Sequence, residues 1–309
     1  MSNVKSQMSK VVVTGGAGFI GAHLANILAE AGHEVHVVDS LISGSPERLL
    51  KKVRLHTVDV RDTAACMAIF SGVDTVFHLA ALPRVQYSIE NPLETNDVNI
   101  GGTVSVLEAA ARAGVRRVVY SASSSAYGDQ ETLPLHEDMP VRPKSPYGVQ
   151  KYIGEVYCKT YGEMYGIETV SLRYFNVYGP GFGLGGEYPF VIENFLKQRA
   201  EGKPMTITGD GKQTRDFIHV RDVVRANILA MQSGTVGAGE VLNIGAGNET
   251  SVNRIAELIG GEMTYIEPRI EPRRTHADNT RAEKLLGWKP MVLLEEGIAE
   301  LAKEERKKC

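Results

Sequence analysis

The stretch K-V-V-V-T-G-G-A-G-F-I-G, Lys10 to Gly21, restricts what this chain can become more than any other. A valine run is apolar on both faces, which suits a strand covered on both sides, as in a parallel sheet. Glycines at 15, 18 and 21 then permit a tight turn into a helix. Five more β-rich runs follow at Glu34–Asp39, Val53–Asp59, Asp74–Ala80, Arg116–Ala122 and Glu168–Tyr174, with helical stretches such as Leu93–Ala113 and Pro146–Tyr165 between them. This alternation predicts an α/β chain built on a right-handed, doubly wound parallel sheet.

The pattern loosens after Tyr174. N-V-Y-G-P-G-F-G-L-G-G-E-Y-P reads as a long ligand-facing loop. A helix near Phe190–Glu201, a hairpin-like M-T-I-T-G-D-G-K-Q-T-R-D-F-I-H-V from Met205, a helix near Asp222–Gln232 and a strand V-L-N-I-G come next. The C-terminal Ala299–Lys308 reads as a charged, solvated helix. The expected division is a tail at 1–9, a dinucleotide-binding domain at 10–175 with a returning segment near 217–245, and a smaller α/β substrate domain at 176–216 and 246–309.

Several function classes are excluded early. Nothing in a net charge of −3 on 309 residues calls for nucleic acid or an anionic membrane surface as a partner. No apolar run approaches the roughly 20 residues that span a bilayer, and the polar start M-S-N-V-K-S-Q-M lacks a signal's apolar region, so a cytoplasmic protein is expected. Three scattered cysteines suggest neither a disulfide framework nor a metal site.

A glycine triplet that follows a strand and opens a helix is suited to a dinucleotide. The pyrophosphate can sit on the helix N-terminus, where N–H groups and the dipole favour anions. Asp39 closes the second strand, where a carboxylate can accept both ribose hydroxyls and would repel a 2′-phosphate. Neither Ser40 nor Leu41 supplies a cation, so NAD is expected over NADP. Further on, S-P-Y-G-V-Q-K places Ser145 as an N-cap, Pro146 at the first helical position, and Tyr147 and Lys151 one turn apart on one face.

Taken together, G-x-x-G-x-x-G, H-L-A-A at His78, S-A-S-S-S-A-Y-G, Y-G-V-Q-K, L-R-Y-F-N-V-Y-G-P at Leu172, T-R-D-F-I-H-V-R-D-V-V-R-A at Thr214 and K-L-L-G-W-K-P at Lys284 resemble the extended short-chain dehydrogenase/reductase superfamily, and within it the nucleotide-sugar 4-epimerases. The resemblance covers about residues 10 to 290. It implies a Rossmann-type fold, bound NAD, no metal, a UDP-sugar substrate and a homodimer formed through the helices at Leu93–Ala113 and Pro146–Tyr165. Val149, Ile153, Val156 and Met164 would supply the apolar dimer stripe, unless that stripe meets only its own core. It also implies roles: Tyr147 as acid–base residue, Lys151 as its helper and Ser123 as the hydrogen bond to the reacting oxygen. An ammonium one turn away favours a phenolate and draws its pKa down from about 10. Cofactor contacts are implied for Gly15, Gly18, Phe19, Ile20, Gly21, Asp39, Asp59, Val60, Leu79, Ala80, Ala81, Asn99, Ser121, Tyr147, Lys151 and Tyr174.

Within that superfamily, dehydratases carry Asp-Glu and decarboxylases a glutamate just before V-Y-G. Here Ser124 and Ser125 precede Ala126-Tyr127-Gly128, so epimerisation, which needs no carboxylate there, is expected. UDP-glucuronate 4-epimerases place arginines after Y-G-P. This chain has Gly181-Phe182-Gly183-Leu184, which favours a neutral hexose. For the substrate the resemblance implies Asn176, Arg215 and Arg269 at the diphosphate, Arg84 and Thr275 near the sugar, and Ser123 and Tyr147 at the reacting carbon. The usual x-Gly-Asp after the second arginine is replaced by Ile270-Glu271-Pro272, which leaves Arg273 and Arg274 as alternatives to Arg269. A small residue at Thr275 would admit N-acetylated sugars, provided the shortened segment does not bring Arg274 or His276 there instead.

Overall fold

The computed structural model describes residues 8–181, 191–267 and 273–305. The chain divides into two compact units. Met1–Ala122, Ser145–Leu172 and Asn227–Val241 make the first; Ser123–Lys144, Arg173–Ala226 and Leu242–Cys309 make the second.

The first unit carries, in chain order, β1 (Lys10–Thr14), α1 (Phe19–Glu30), β2 (Glu34–Asp39), β3 (Arg54–Thr57), α2 (Thr63–Phe70), β4 (Thr75–His78), α3 (Val85–Glu90), α4 (Pro92–Asn96), α5 (Gly102–Ala113), β5 (Arg117–Ser123), α6 (Pro146–Tyr165) and β6 (Glu168–Tyr174). One seven-stranded sheet runs in the order Ala238–Ile244, β6, β5, β4, β1, β2, β3. The β1–β2, β1–β4, β2–β3 and β4–β5 pairs are parallel, as expected of strands apolar on both faces. The order reverses beside β1, the switch point at which open α/β sheets bind ligands. Val12, Val76, Val118, Phe70 and Leu107 are fully enclosed between the sheet and α2 and α5.

The helix expected over Leu93–Ala113 is interrupted. Asp97–Gly101 forms a π-turn between α4 and α5. Such turns insert one residue into the helical ladder and re-aim the side chains around it, which the spacing of apolar residues does not reveal. At the start of β5, an interior strand, Arg117 is buried. Its guanidinium donates to the carbonyls of Ala230, Met231, Ser233 and Val236 and to Glu168.

In the second unit β7 (Asn176–Tyr178), α7 (Val191–Ala200), β8 (Met205–Thr208), β9 (Thr214–Arg215), β10 (Phe217–His219) and the start of α8 (Val220–Gln232), whose residues from Asn227 on belong to the first unit, precede β11, the strand Ala238–Ile244 already placed. Then come β12 (Thr250–Ser251), α9 (Val252–Ile259), β13 (Met263–Ile266), α10 (Thr280–Leu286) and α11 (Leu294–Glu305). The hairpin expected from Met205 does not form. Its residues pair with three distant segments instead: β8 with β13, β9 with β12 and β10 with β7. β9 has only two residues, too few for a hairpin ladder with β8, and the partners of all three strands lie elsewhere in the chain. The C-terminal helix begins earlier than expected and is not simply solvated, because Ile298 packs in the core with Phe195, Ile207 and Ile255.

Candidate active site

The glycine loop meets the steric demands that its spacing implies. Gly15 has φ +67°, and a Cβ there would lie 2.7 Å from the Ala80 nitrogen. A Cβ on Gly21 would sit 2.2 Å from the Gly15 carbonyl. Side chains are excluded where β1 turns into α1. Gly18 is the N-cap of α1, with no side-chain cap and no acidic residue in the first turn at Phe19 and Ile20. That end can accept a phosphate anion.

At the end of β2, Asp39 is buried and accepts from the Ala17 and Leu41 nitrogens. Its carboxylate is thereby fixed toward the glycine loop. Sequence reading missed a cation here: Arg48 lies close enough to Asp39 for their charges to attract. Asp59 is gripped by Arg61 through two side-chain bonds of 3.0 and 2.6 Å, which hold its carboxyl below the usual range. Arg61 also reaches Asp97 on the π-turn. Val60 is buried, and a Cβ on Gly102 would lie 2.8 Å from its methyl.

Beyond β4, Leu79 and Ala80 hang from β1: the Leu79 nitrogen donates to the Thr14 carbonyl and the Ala80 nitrogen to the Thr14 hydroxyl. Ala81 stands at the turn toward Leu82 and, two residues on, Arg84, the N-cap of α3. Asn99 is buried in the π-turn and clasps Leu82, accepting from its nitrogen at 2.7 Å and donating to its carbonyl at 3.1 Å.

Two serines set the mouth of α6. Ser145 caps the Gly148 nitrogen, and buried Ser88 accepts from the Tyr147 nitrogen at 3.1 Å. The first was legible in the sequence; the second, 59 residues away, was not. Lys151 is buried, its Nζ donating to the Ser121 carbonyl at 2.7 Å with the Tyr120 ring 5.0 Å away. Burial draws its pKa down to about 8, against smaller opposing contributions from Cys158 and Glu155.

Ser123 ends β5, two residues past Ser121, and opens the second unit. Its hydroxyl oxygen accepts from the Ser125 nitrogen at 3.2 Å, so its proton can serve another acceptor. Tyr174 is buried at the end of β6. Asn176 donates from its side chain to the Asp216 carbonyl at 3.1 Å. Arg215 sits on β9, beside fully buried Asp216, whose carboxylate takes the nitrogens of Ala246, Gly247 and Ala277. Burial nevertheless raises that carboxyl to about 6. Thr275 is half-buried with its hydroxyl oxygen accepting from the Asp216 nitrogen at 3.2 Å. Arg274 is engaged by Glu249 and Arg273 is exposed. Arg269, Ile270–Pro272 and Phe182–Leu184 lie outside the described residues. Among the described residues no cluster of His, Cys, Asp or Glu is placed to hold a metal, and no helix is long and apolar enough to cross a membrane.

A glycine turn closed to side chains, a buried carboxylate fixed toward it and a helix carrying Tyr147 and Lys151, on a sheet with one switch point, are what a dinucleotide-dependent enzyme of Rossmann type requires. The chain belongs to the NAD dependent epimerase/dehydratase family, which it matches over residues 11–245. Its cofactor is NAD. It is 40% identical over 297 residues to a putative UDP-glucose 4-epimerase of Methanocaldococcus jannaschii, covering 93% of this chain and 95% of that one. Among solved structures it resembles the UDP-N-acetylglucosamine 4-epimerase of Methanobrevibacter ruminantium in complex with UDP-N-acetylmuramic acid, at TM-score 0.93 and 34% identity, covering 98% of this chain and 100% of that one. It also resembles the UDP-glucose 4-epimerase of Thermotoga maritima with UDP-glucose, at TM-score 0.92 and 38% identity, covering 97% and 99%.

Proposed function

We propose that this protein inverts C4′ of a UDP-hexose, interconverting UDP-glucose and UDP-galactose and also accepting the N-acetylhexosamine pair. The observation that carries this reading is Lys151: a buried amine held at Ser121, one turn from Tyr147, on a unit whose glycine loop fits a dinucleotide. The residues proposed to hold NAD are Gly15, Gly18, Phe19, Ile20 and Gly21 at the pyrophosphate and Asp39 at the adenosine ribose. Asp59, Val60, Leu79, Ala80, Ala81, Asn99, Ser121 and Tyr174 line its path. Bound NAD supplies the acceptor and donor of the C4′ hydride.

Each protein group then has a task. The Tyr147 phenol oxygen takes the proton of the 4′-hydroxyl and later returns one to the same oxygen. Lys151 stabilises the phenolate and orients the nicotinamide ribose. Ser123 donates a hydrogen bond to the reacting oxygen. Asn176, Arg215 and Arg269 hold the diphosphate while the 4′-keto sugar turns, with Arg84 and Thr275 beside the ring. Guanidinium suits the anion better than ammonium because its donors are forked.

A homodimer is part of the proposal. Its support is the α6 stripe, where Val149, Val156 and Met164 remain exposed rather than entering their own core, near exposed Leu93 and Ile89. A cytoplasmic setting suits the buried free thiols Cys66 and Cys158.

Tyr147→Phe tests the function. It should keep its fold and its NAD while turnover of UDP-galactose drops by about 10²–10⁴-fold. Turnover near the unsubstituted rate would overturn the assignment.

A further inference from the structure

Gln150 stands between Tyr147 and Lys151 in sequence, is buried, and has no part in the chemistry above. Both ends of its amide are engaged inside the first unit. The carbonyl oxygen accepts from the Asn99 amide at 2.8 Å, and the amide nitrogen donates to the Thr95 hydroxyl at 3.0 Å. Thr95 passes its own proton to the Asn91 carbonyl at 3.0 Å. Asn99, on the π-turn, at the same time clasps both backbone groups of Leu82.

The directions of these bonds can be worked out one by one. The Thr103 hydroxyl donates to the Asn99 carbonyl at 2.6 Å, so the His78 Nε2 that approaches Thr103 at 3.0 Å must carry a proton. Burial and the Lys151 charge push His78 down to about 3, so the ring is neutral and its Nδ1 accepts from Thr14 at 2.7 Å. Thr14 in turn accepts from the Ala80 nitrogen. One run of hydrogens therefore points from Ala80 through Thr14, His78 and Thr103 to the Asn99 main-chain carbonyl, and a second runs from the Asn99 side-chain amide through Gln150 and Thr95 to the Asn91 carbonyl. Each run has one low-energy arrangement, because reversing any member leaves a buried donor or acceptor unpaired.

We infer that Gln150 is a positioning residue, tying the helix that carries Tyr147 and Lys151 to the loop after β4 through Asn99. The inference rests on the catalytic reading of Tyr147 and Lys151. A side chain that merely filled space between α4 and α6 would contribute to stability alone. One that sets the phenol's place affects rate, because a misplacement of about 1 Å can cost on the order of 100-fold.

The test is Gln150→Met, which keeps length and removes both hydrogen bonds. In NAD-stripped protein, calorimetric NAD affinity should stay within about threefold, since Asn99 still clasps Leu82. With NAD restored, kcat for UDP-galactose should fall about tenfold or more at little-changed KM, and the limb of the pH–rate profile set by Tyr147 should move. Asn99→Ala, which frees Leu82 as well, should lose both NAD affinity and kcat. If Gln150→Met fails to fold, Thr95→Val removes the far partner with little change in shape and should lower kcat in the same direction. A folded variant with unaltered kcat and pH profile overturns the inference, whatever its melting temperature. Tyr147→Phe separates the two failures: if it is inactive while Gln150→Met is unaffected, only the positioning role falls.

Discussion

Lys151→Met should make this protein more stable while abolishing turnover, and the gain should vanish at high pH. The Lys151 pKa falls from 10.5 to about 8 in the folded chain because burial penalises the charged amine. That difference of about 2.5 units, at 1.36 kcal/mol each, makes the ammonium about 3 kcal/mol less favourable folded than unfolded. The sign follows from proton counting. Below pH 8 both states hold the proton and the penalty is complete. Between about 8 and 10.5 the unfolded chain binds more protons, so stability rises with pH and the penalty is relieved. At pH 7 methionine escapes the whole penalty, less about 1–2 kcal/mol for the Ser121 carbonyl left without its donor. The assay is urea unfolding of NAD-free protein, with and without the substitution, at pH 7 and pH 10. Titrating groups remote from Lys151 cancel in the difference between the two proteins. That difference should shift by about 2–3 kcal/mol toward the unsubstituted chain as pH rises. Parallel pH dependence would refute a strained, charged Lys151.

Three further outcomes are expected. Arg117→Met should lower stability by about 3 kcal/mol or more in urea unfolding, because the carbonyls of Ala230, Met231, Ser233 and Val236 lose their donor; a loss under 1 kcal/mol would mean water replaces the guanidinium. Thr275→Tyr should abolish turnover of UDP-N-acetylgalactosamine and spare UDP-galactose, and equal effects on both would remove Thr275 from the sugar pocket. Light scattering at micromolar concentration should give a dimer for the unsubstituted chain and a monomer for Val156→Asp, because a carboxylate in an apolar interface is left unpaired; a monomer in both would end the dimer proposal.

How much of this was legible beforehand depended on how local the signal was. β1, β2 and β6 form over the residues expected, because buried parallel strands are marked by their own valines. The glycine loop and the i, i+4 pair of Tyr147 and Lys151 were equally plain, each being decided within a dozen residues. The second unit was not. Thr214 and Arg215 pair with Thr250 and Ser251, and no periodicity marks a strand two residues long. The supports of the site were hidden for the same reason. Ser88 under Tyr147, Asn99 against Gln150 and Arg48 near Asp39 are polar residues without a local pattern, and only the folded chain brings them together. The interruption at Asp97–Gly101 left a trace in the sequence, since Asn96, Asp97, Asn99 and the glycines at 101 and 102 are poor helix formers, but these residues do not by themselves tell a π-turn from a helix that simply continues.

The division of each unit among three separate stretches of chain bears on how the protein can be made. β5 ends at Ser123, but the strand that completes the sheet begins at Ala238, 115 residues later by subtraction. At about 5–20 residues per second, a ribosome takes roughly 6–23 s to cover that distance. Through that interval the emerging sheet lacks its outer strand, and until Glu168–Tyr174 is made the apolar β5 has an open edge. An edge left unpaired in that way can pair with a strand of another chain. A stop codon placed anywhere before residue 238 would release a chain with an unfinished sheet rather than a smaller working protein.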